Sequence, residues 1–232
     1  YDEISFKLRK DSQIKLVCSS KNIIKDNLIL EAIESFLDYT KAKKIGMNIF
    51  LKKNIPIGAG LGGGSSNAAT TIKALNEIYN TKLRESQLKT IANSLGKDIE
   101  FFLSGKNAWV EGTGDIITPI DLKPSWFILI HSLHKVSTSE VFGEYKVRGR
   151  PKSFSYDNYL NNSTKNDFES IVFKKYPSIF KSFQHLSKHG KARLTGTGGT
   201  VFLSLSSLSE AKKILSCIPK NQKPLIVKSL VT

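Results

Sequence analysis

The chain has 232 residues, of which 40 % are hydrophobic and 24 % charged, and its net charge is +15. This is enough chain to bury the core of one large or two small lobes, and the composition excludes a disordered chain. The excess of lysine and arginine favours phosphorylated ligands, but no basic run carries interleaved aromatics, so nucleic acid is not expected as a partner.

Residues Ile4-Ser-Phe-Lys-Leu8 and Ile14-Lys-Leu16 alternate in hydropathy on either side of the polar Arg9-Lys-Asp-Ser12, which predicts a hairpin. A helix is expected from Asp26, as its cap, to about Tyr39, with Leu28, Ala32, Ile33, Phe36 and Leu37 inward. The lysines of Lys41-Ala-Lys-Lys44 then form its solvated end, and residues 47–51 form a strand leading to Lys53. Next comes Pro56-Ile-Gly-Ala-Gly-Leu-Gly-Gly-Gly-Ser-Ser-Asn-Ala-Ala-Thr70. Its glycines let successive backbone N–H groups approach a bound group without an intervening Cβ. Ser65, Ser66 and Asn67 open a helix whose apolar positions are Ala68, Ile72, Leu75 and Tyr79, so its positive end faces the loop. The N–H groups from Gly58 to Ser66 therefore suit a di- or triphosphate. The stretch lacks the Gly-Lys-Ser/Thr of a Walker loop, and it lacks the last glycine and the acidic partner of a dinucleotide fingerprint.

A further helix over residues 85–95 buries Leu88, Ile91, Ala92 and Leu95 and stops at Gly96. Asp98 follows, a position where an aspartate ordinarily caps a helix. Residues 105–119 form two strands around a glycine turn read as structural, residues 125–130 a buried strand, and residues 136–142 a helix start capped by Ser137 or Thr138. The polar residues 146–165 suit a surface loop or a boundary between lobes. Val172, Tyr176, Ile179, Phe183 and Leu186 mark further helices, on which His185 and His189 read as exposed. Thr195-Gly-Thr-Gly-Gly199, a weak signal by itself, leads into a strand at residues 200–205, a helix at 207–217 and a final strand at 225–230. The cysteines, Cys18 and Cys217, have no His or Cys neighbours at metal-ligand spacing, so neither a disulfide framework nor a zinc site is expected. No apolar run approaches the roughly 20 residues that span a membrane, and no secretory signal pattern opens the chain; the cytoplasm is the expected compartment.

The loop Pro-x-Gly-Ala-Gly-Leu-Gly-Gly-Gly-Ser-Ser-Asn-Ala-Ala resembles the phosphate loop of the GHMP kinases, the group of galactokinase, homoserine kinase, mevalonate kinase and phosphomevalonate kinase. Its triple glycine most closely resembles the 4-diphosphocytidyl-2-C-methyl-D-erythritol kinases within that group. Leu95-Gly-Lys-Asp-Ile-Glu-Phe-Phe-Leu103 and Arg193-Leu-Thr-Gly-Thr-Gly198 agree, and the resemblance runs over nearly the whole chain. It implies an α+β, two-lobed GHMP kinase fold, with a ribosomal S5-like nucleotide-binding lobe over residues 1–121 and a ferredoxin-like lobe over 122–232 that completes the substrate cleft. It further implies transfer of phosphate from ATP, with Mg2+, to the 2-hydroxyl of 4-diphosphocytidyl-2-C-methyl-D-erythritol in non-mevalonate isoprenoid precursor synthesis, by a monomer or homodimer with no membrane partner.

Carried over residue by residue, Asp98 is the catalytic aspartate. Asn27, Leu28, Lys53, Pro56, Ile57, Gly58, Ala59, Gly60, Leu61, Gly62, Gly63, Gly64, Ser65 and Ser66 hold the nucleotide, with Ser66 on the metal side. Thr138, Gly196, Thr197 and Gly198 line the substrate cleft. Family members open with Pro-Ala-Lys-Ile-Asn-Leu and, after a turn, Gly-Tyr-His; neither occurs here, and Tyr1-Asp-Glu-Ile4 resembles a segment further in. The lysine beside the reacting hydroxyl and the Tyr-His pair at the cytosine are therefore expected outside this sequence, leaving the activity of the chain as given in doubt. The rivals are another GHMP-type kinase, of the homoserine or mevalonate class, and a non-catalytic nucleotide-binding or basic interaction module.

Overall fold

Three N-terminal strands share a sheet, and the most buried of them lies in the middle. In the computed structural model, which describes residues 1–20, 27–132, 134, 136–146, 155–160 and 164–230, β3 (Met47–Lys52) separates β1 (Glu3–Leu8) from β2 (Ile14–Cys18). It runs antiparallel to β1, with Phe6 opposite Ile49, and parallel to β2, with Leu16 opposite Ile49. The expected hairpin is thus corrected: β1 and β2 do not pair with each other. Alternation fixes which face of a strand is buried but not which strand lies beside it, and β3 brings three fully inward residues, Met47, Ile49 and Leu51. It enters the sheet through the polar turn. The Arg9 N–H donates to the Gly46 carbonyl (2.8 Å) and the Met47 N–H to the Gln13 carbonyl (2.9 Å).

The helix α1 (Leu28–Thr40) is capped by Asn27, whose Oδ1 accepts from the Ile29 N–H at 3.0 Å; Asp26, the expected cap, lies outside the described residues. Its buried stripe is Ile29, Ala32, Ile33 and Phe36, while Leu28 and Leu37 are partly buried. The stripe packs with Ala68, Ile72 and Leu75 of α2 (Gly63–Ile78), Ile91 and Ala92 of α3 (Glu85–Leu95), and Ile99 and Leu103 of α4 (Lys97–Ser104). A short antiparallel ladder, β4 (Ala108–Glu111) with β5 (Ile116–Pro119), follows. Its turn is structural as expected: the Asp115 Oδ1 accepts from both the N–H and the hydroxyl of Thr113.

The described residues divide into two compact units, one of Tyr1–Pro56 with Gly62–Asp121 and one of Ile57–Leu61 with those from Leu122 to Leu230. The second unit holds β6 (Trp126–His131), α5 (Thr138–Glu144), α6 (Tyr156–Leu160), α7 (Glu169–Lys175), α8 (Pro177–Ser187), β7 (Arg193–Leu194), β8 (Thr200–Leu205), α9 (Leu208–Cys217) and β9 (Leu225–Lys228). Its sheet order is β7-β8-β6-β9, with β6 antiparallel to both β8 and β9. The strand-helix-strand unit of β8, α9 and β9 is thereby split by β6, the ferredoxin-like arrangement. Its core is Ile128, Ile130, Val172, Ile179, Leu186, Val201 and Leu203.

Three sequence expectations change here. The described residues of the stretch 146–165 are not a boundary: 146, 155–160 and 164–165 lie within the second unit and Tyr156–Leu160 form a helix, while 147–154 and 161–163 lie outside the described residues. His189 lies beyond the end of α8 and is exposed, whereas His185 is half-buried against Gln222, so the two do not share one exposed helical face. The strand β7 was not expected, because two residues are too short to display an alternation.

Candidate active site

The glycine loop turns into α2 two residues earlier than the serines suggest. Gly62 sits at the cap with φ +65° and the helix begins at Gly63, so Gly63 and Gly64 are its first residues. The first helical bond runs from the Ser66 N–H to the Gly62 carbonyl (2.9 Å). This corrects the expectation that every N–H up to Ser66 faces a ligand: that of Ser66 is spent within the helix. Those of Gly63, Gly64 and Ser65 precede the first bond, at the positive end of a helix with no acidic residue in its first turn. This donor set fits a phosphate. A left-handed backbone at Gly62 is cheap only for glycine, and a Cβ there would lie 2.5 Å from the Phe102 Cζ.

Around this turn the first unit gathers several of the expected residues. Leu28 lies beside Gly64, its Cδ1 3.4 Å from where a Cβ would stand. The Lys53 ammonium is 3.1 Å from the corresponding position on Gly63. It pairs with Asp2, a residue that no sequence pattern marks, since its partners stand 51 to 65 residues further along. The Asp2 carboxylate also accepts from the N–H groups of Asn54 (2.8 Å) and Ile55 (2.8 Å) and from the Asn67 amide (2.9 Å). Burial pushes its pKa up, but the bonds from Lys53, Ile55, Asn67 and Asn54 outweigh this and hold it below the ordinary aspartate value.

Asp98 occupies the first turn of α4 but does not cap it; the cap position belongs to Gly96. The alternative of a capping aspartate is therefore set aside. The side chain is exposed and makes no hydrogen bond or ion pair among the described residues. One helical turn on, Phe102 presses its ring against Gly62, so Asp98 lies on the face of α4 that meets the start of α2. Glu100, on another face, is buried and reaches Lys89 at 3.7 Å.

The second unit makes its own constellation. Ile57–Leu61 lies against the second glycine motif: the Thr195 hydroxyl donates to the Ala59 carbonyl (3.2 Å), and a Cβ on Gly199 would stand 2.4 Å from the Gly58 carbonyl oxygen. Gly60, at φ +70°, is similarly closed in by the Thr195 and Gly198 carbonyls at 2.5 and 2.7 Å. These approaches leave room only for hydrogen. Ala59 is buried, whereas Pro56, in the first unit, and Ile57 are exposed. The hydroxyls of Thr138 and Thr197 meet at 3.0 Å, with Ser137 as the cap of α5. Gly196 is exposed and Gly198 is packed against Val172.

The sequence matches the N-terminal domain of the GHMP kinases over residues 27–106 and their C-terminal domain over 149–223. A 4-diphosphocytidyl-2-C-methyl-D-erythritol kinase of Hahella chejuensis is 35 % identical over 99 % of this chain and 81 % of that protein. The chain belongs to the 4-diphosphocytidyl-2-C-methyl-D-erythritol kinase family of the GHMP kinases. A family member from Buchnera aphidicola subsp. Acyrthosiphon pisum is 40 % identical over 80 % of this chain and 65 % of that protein. Among solved structures, a 4-(cytidine 5'-diphospho)-2C-methyl-D-erythritol kinase superposes with a TM-score of 0.77 at 22 % identity, covering 98 % of this chain and 85 % of the other. The homoserine kinase of Cytophaga hutchinsonii does so with 0.72 at 16 % identity, covering 99 % and 86 %, and both likenesses concern the fold. As a member of this kinase family, the chain is an ATP-dependent small-molecule kinase of α+β fold.

Proposed function

We propose that the protein transfers the γ-phosphoryl group of ATP to the 2-hydroxyl of 4-diphosphocytidyl-2-C-methyl-D-erythritol, in the cytoplasm. The observation that carries the reading is the contact of Phe102 with Gly62, which sets the Asp98 face of α4 beside the first N–H groups of α2. In this reading the N–H groups of Gly63, Gly64 and Ser65 bind the phosphates, and Asn27 and Leu28 border the adenine. Asp98 takes the proton of the attacking hydroxyl as its oxygen bonds to phosphorus and the bond from phosphorus to ADP breaks. Thr138, Gly196, Thr197 and Gly198 are assigned to the alcohol substrate on the family pattern.

The Ser66 hydroxyl is an oxygen donor of the kind Mg2+ accepts, and it would hold the ion together with phosphate oxygens and water. When bound, it offsets the charge concentrated on the transferring group. No group of three or more His, Cys, Asp or Glu side chains able to hold a metal occurs among the described residues. No described helix is long and apolar enough to cross a membrane.

The test is ATP-dependent phosphorylation by the full-length protein, with homoserine and mevalonate as competing substrates. We expect turnover of the cytidine diphosphate compound alone. Asp98→Asn should lower kcat by about 10²- to 10⁴-fold, the usual worth of a positioned general base, with nucleotide affinity little changed. Turnover of homoserine or mevalonate instead overturns the substrate, and full activity of Asp98→Asn overturns the role of the aspartate.

A further inference from the structure

Asp2 stands apart from the residues that the family pattern supplies. Its side chain is 1 % exposed and that of its partner Lys53 is 9 % exposed, a buried pair in a chain whose charges are mostly solvated. All the donors to its carboxylate come from the two segments that flank the glycine loop. Lys53, Asn54 and Ile55 form the exit of β3 before the loop, and Asn67 belongs to the second turn of α2 after it. Asn67 is itself buried and, through its carbonyl, accepts from the Thr71 hydroxyl at 2.8 Å. One carboxylate therefore ties the entry and the exit of the loop at a single point.

The pair also has an electrostatic reason. The Lys53 ammonium lies beside Gly63, at the end of α2 where the helix dipole is positive, a place that repels a cation. A buried ammonium there needs a counter-charge, and Asp2 is the carboxylate bonded to it. We infer that Asp2 is a positioning residue for nucleotide binding, acting through Lys53 and Asn67 to hold the start of α2 in the conformation that presents its N–H groups. The inference rests on the reading of this loop as the nucleotide site.

Asp2→Asn keeps the shape and the acceptor for Asn54 and Ile55, but its NH2 group would face two donors, Lys53 and the Asn67 amide. Both should then leave their places. In the full-length protein we expect ADP affinity by calorimetry to fall, and the KM for ATP to rise, by about tenfold or more, the worth of a lost charge-assisted bond, while the KM for the alcohol substrate stays unchanged. A double-mutant cycle with Lys53→Met should be strongly non-additive, the double variant being little worse than either single one. If Asp2→Asn does not fold, Asn67→Ala carries the test, with a smaller rise in the same KM.

A merely structural role predicts a lower melting temperature with unchanged nucleotide affinity in the folded fraction, and that result overturns the inference. Additive effects in the cycle overturn the action through Lys53. Failure of the wild-type protein to bind ADP in the same calorimetry overturns the reading of the site itself, an outcome distinct from equal binding by wild type and variant.

Discussion

At Gly62 one missing methyl group decides both backbone and packing. Its φ of +65° disfavours any residue with a Cβ, and that atom would also fall 2.5 Å from the Phe102 ring. Gly62→Ala should therefore cost about 1–2 kcal/mol in stability, from the left-handed backbone alone, and shift α4 away from the loop. The check is a pairing of urea denaturation with the KM for ATP; both should worsen, and an unchanged KM would mean that the ring yields without moving α2. Such glycines were legible in the sequence because the residue type itself reports the backbone it permits. Asp2 was not legible: an aspartate in front of an alternating strand looks solvated until β3 and α2 close over it. Nor was the start of α2, since Gly63 and Gly64 are poor helix formers that tertiary contacts hold in the helix.

Among the elements, helices were read well and strand partners poorly, for a physical reason. The helices α1, α3 and α9 carry their burial pattern within their own residues, and α9 also its cap, Ser207, which accepts from the Glu210 N–H at 3.2 Å. A strand carries only the parity of its faces. The order of the first sheet is set by the point where β3 enters between its neighbours, and there Gly46 leaves no space: a Cβ would lie 2.0 Å from the Asp11 carbonyl oxygen. Gly46→Ala should push that turn off the sheet and cost at least about 1–3 kcal/mol by overpacking. A drop in the denaturation midpoint with the m-value unchanged would agree, whereas wild-type stability would show that the turn moves freely.

On the scale of the whole molecule basic residues outnumber acidic ones, 35 to 20. Asp2, Glu3, Asp11 and Asp115 all have pKa values lowered in the folded chain, that of Asp11 to about 2 by the Arg9 guanidinium. A group whose folded pKa lies below its unfolded value contributes stability that is present above the unfolded value and lost as pH falls through the folded one. The carboxylates should thus keep their contribution from neutral pH to about 5 and lose it below about 4, while His131, whose pKa burial lowers, already costs some stability as pH falls through its unfolded value of about 6.5. With a net charge of +15, protonating those groups also adds to self-repulsion, so salt should recover part of the loss at low pH. Insensitivity of the melt to pH between 5 and 3 would contradict this account.

The placement of β3 between β1 and β2 bears on how the chain comes off the ribosome. The two outer strands are made first, run in opposite directions and are joined by a short polar turn, so the pairing nearest to hand is a local hairpin of the kind that closes in microseconds. The finished sheet does not contain that pairing. Any such hairpin would have to open when Met47–Lys52 arrives, after α1 has been synthesised, because that strand takes the place between β1 and β2. The sheet of the first unit is complete only once the strand made last has come between the two made before it.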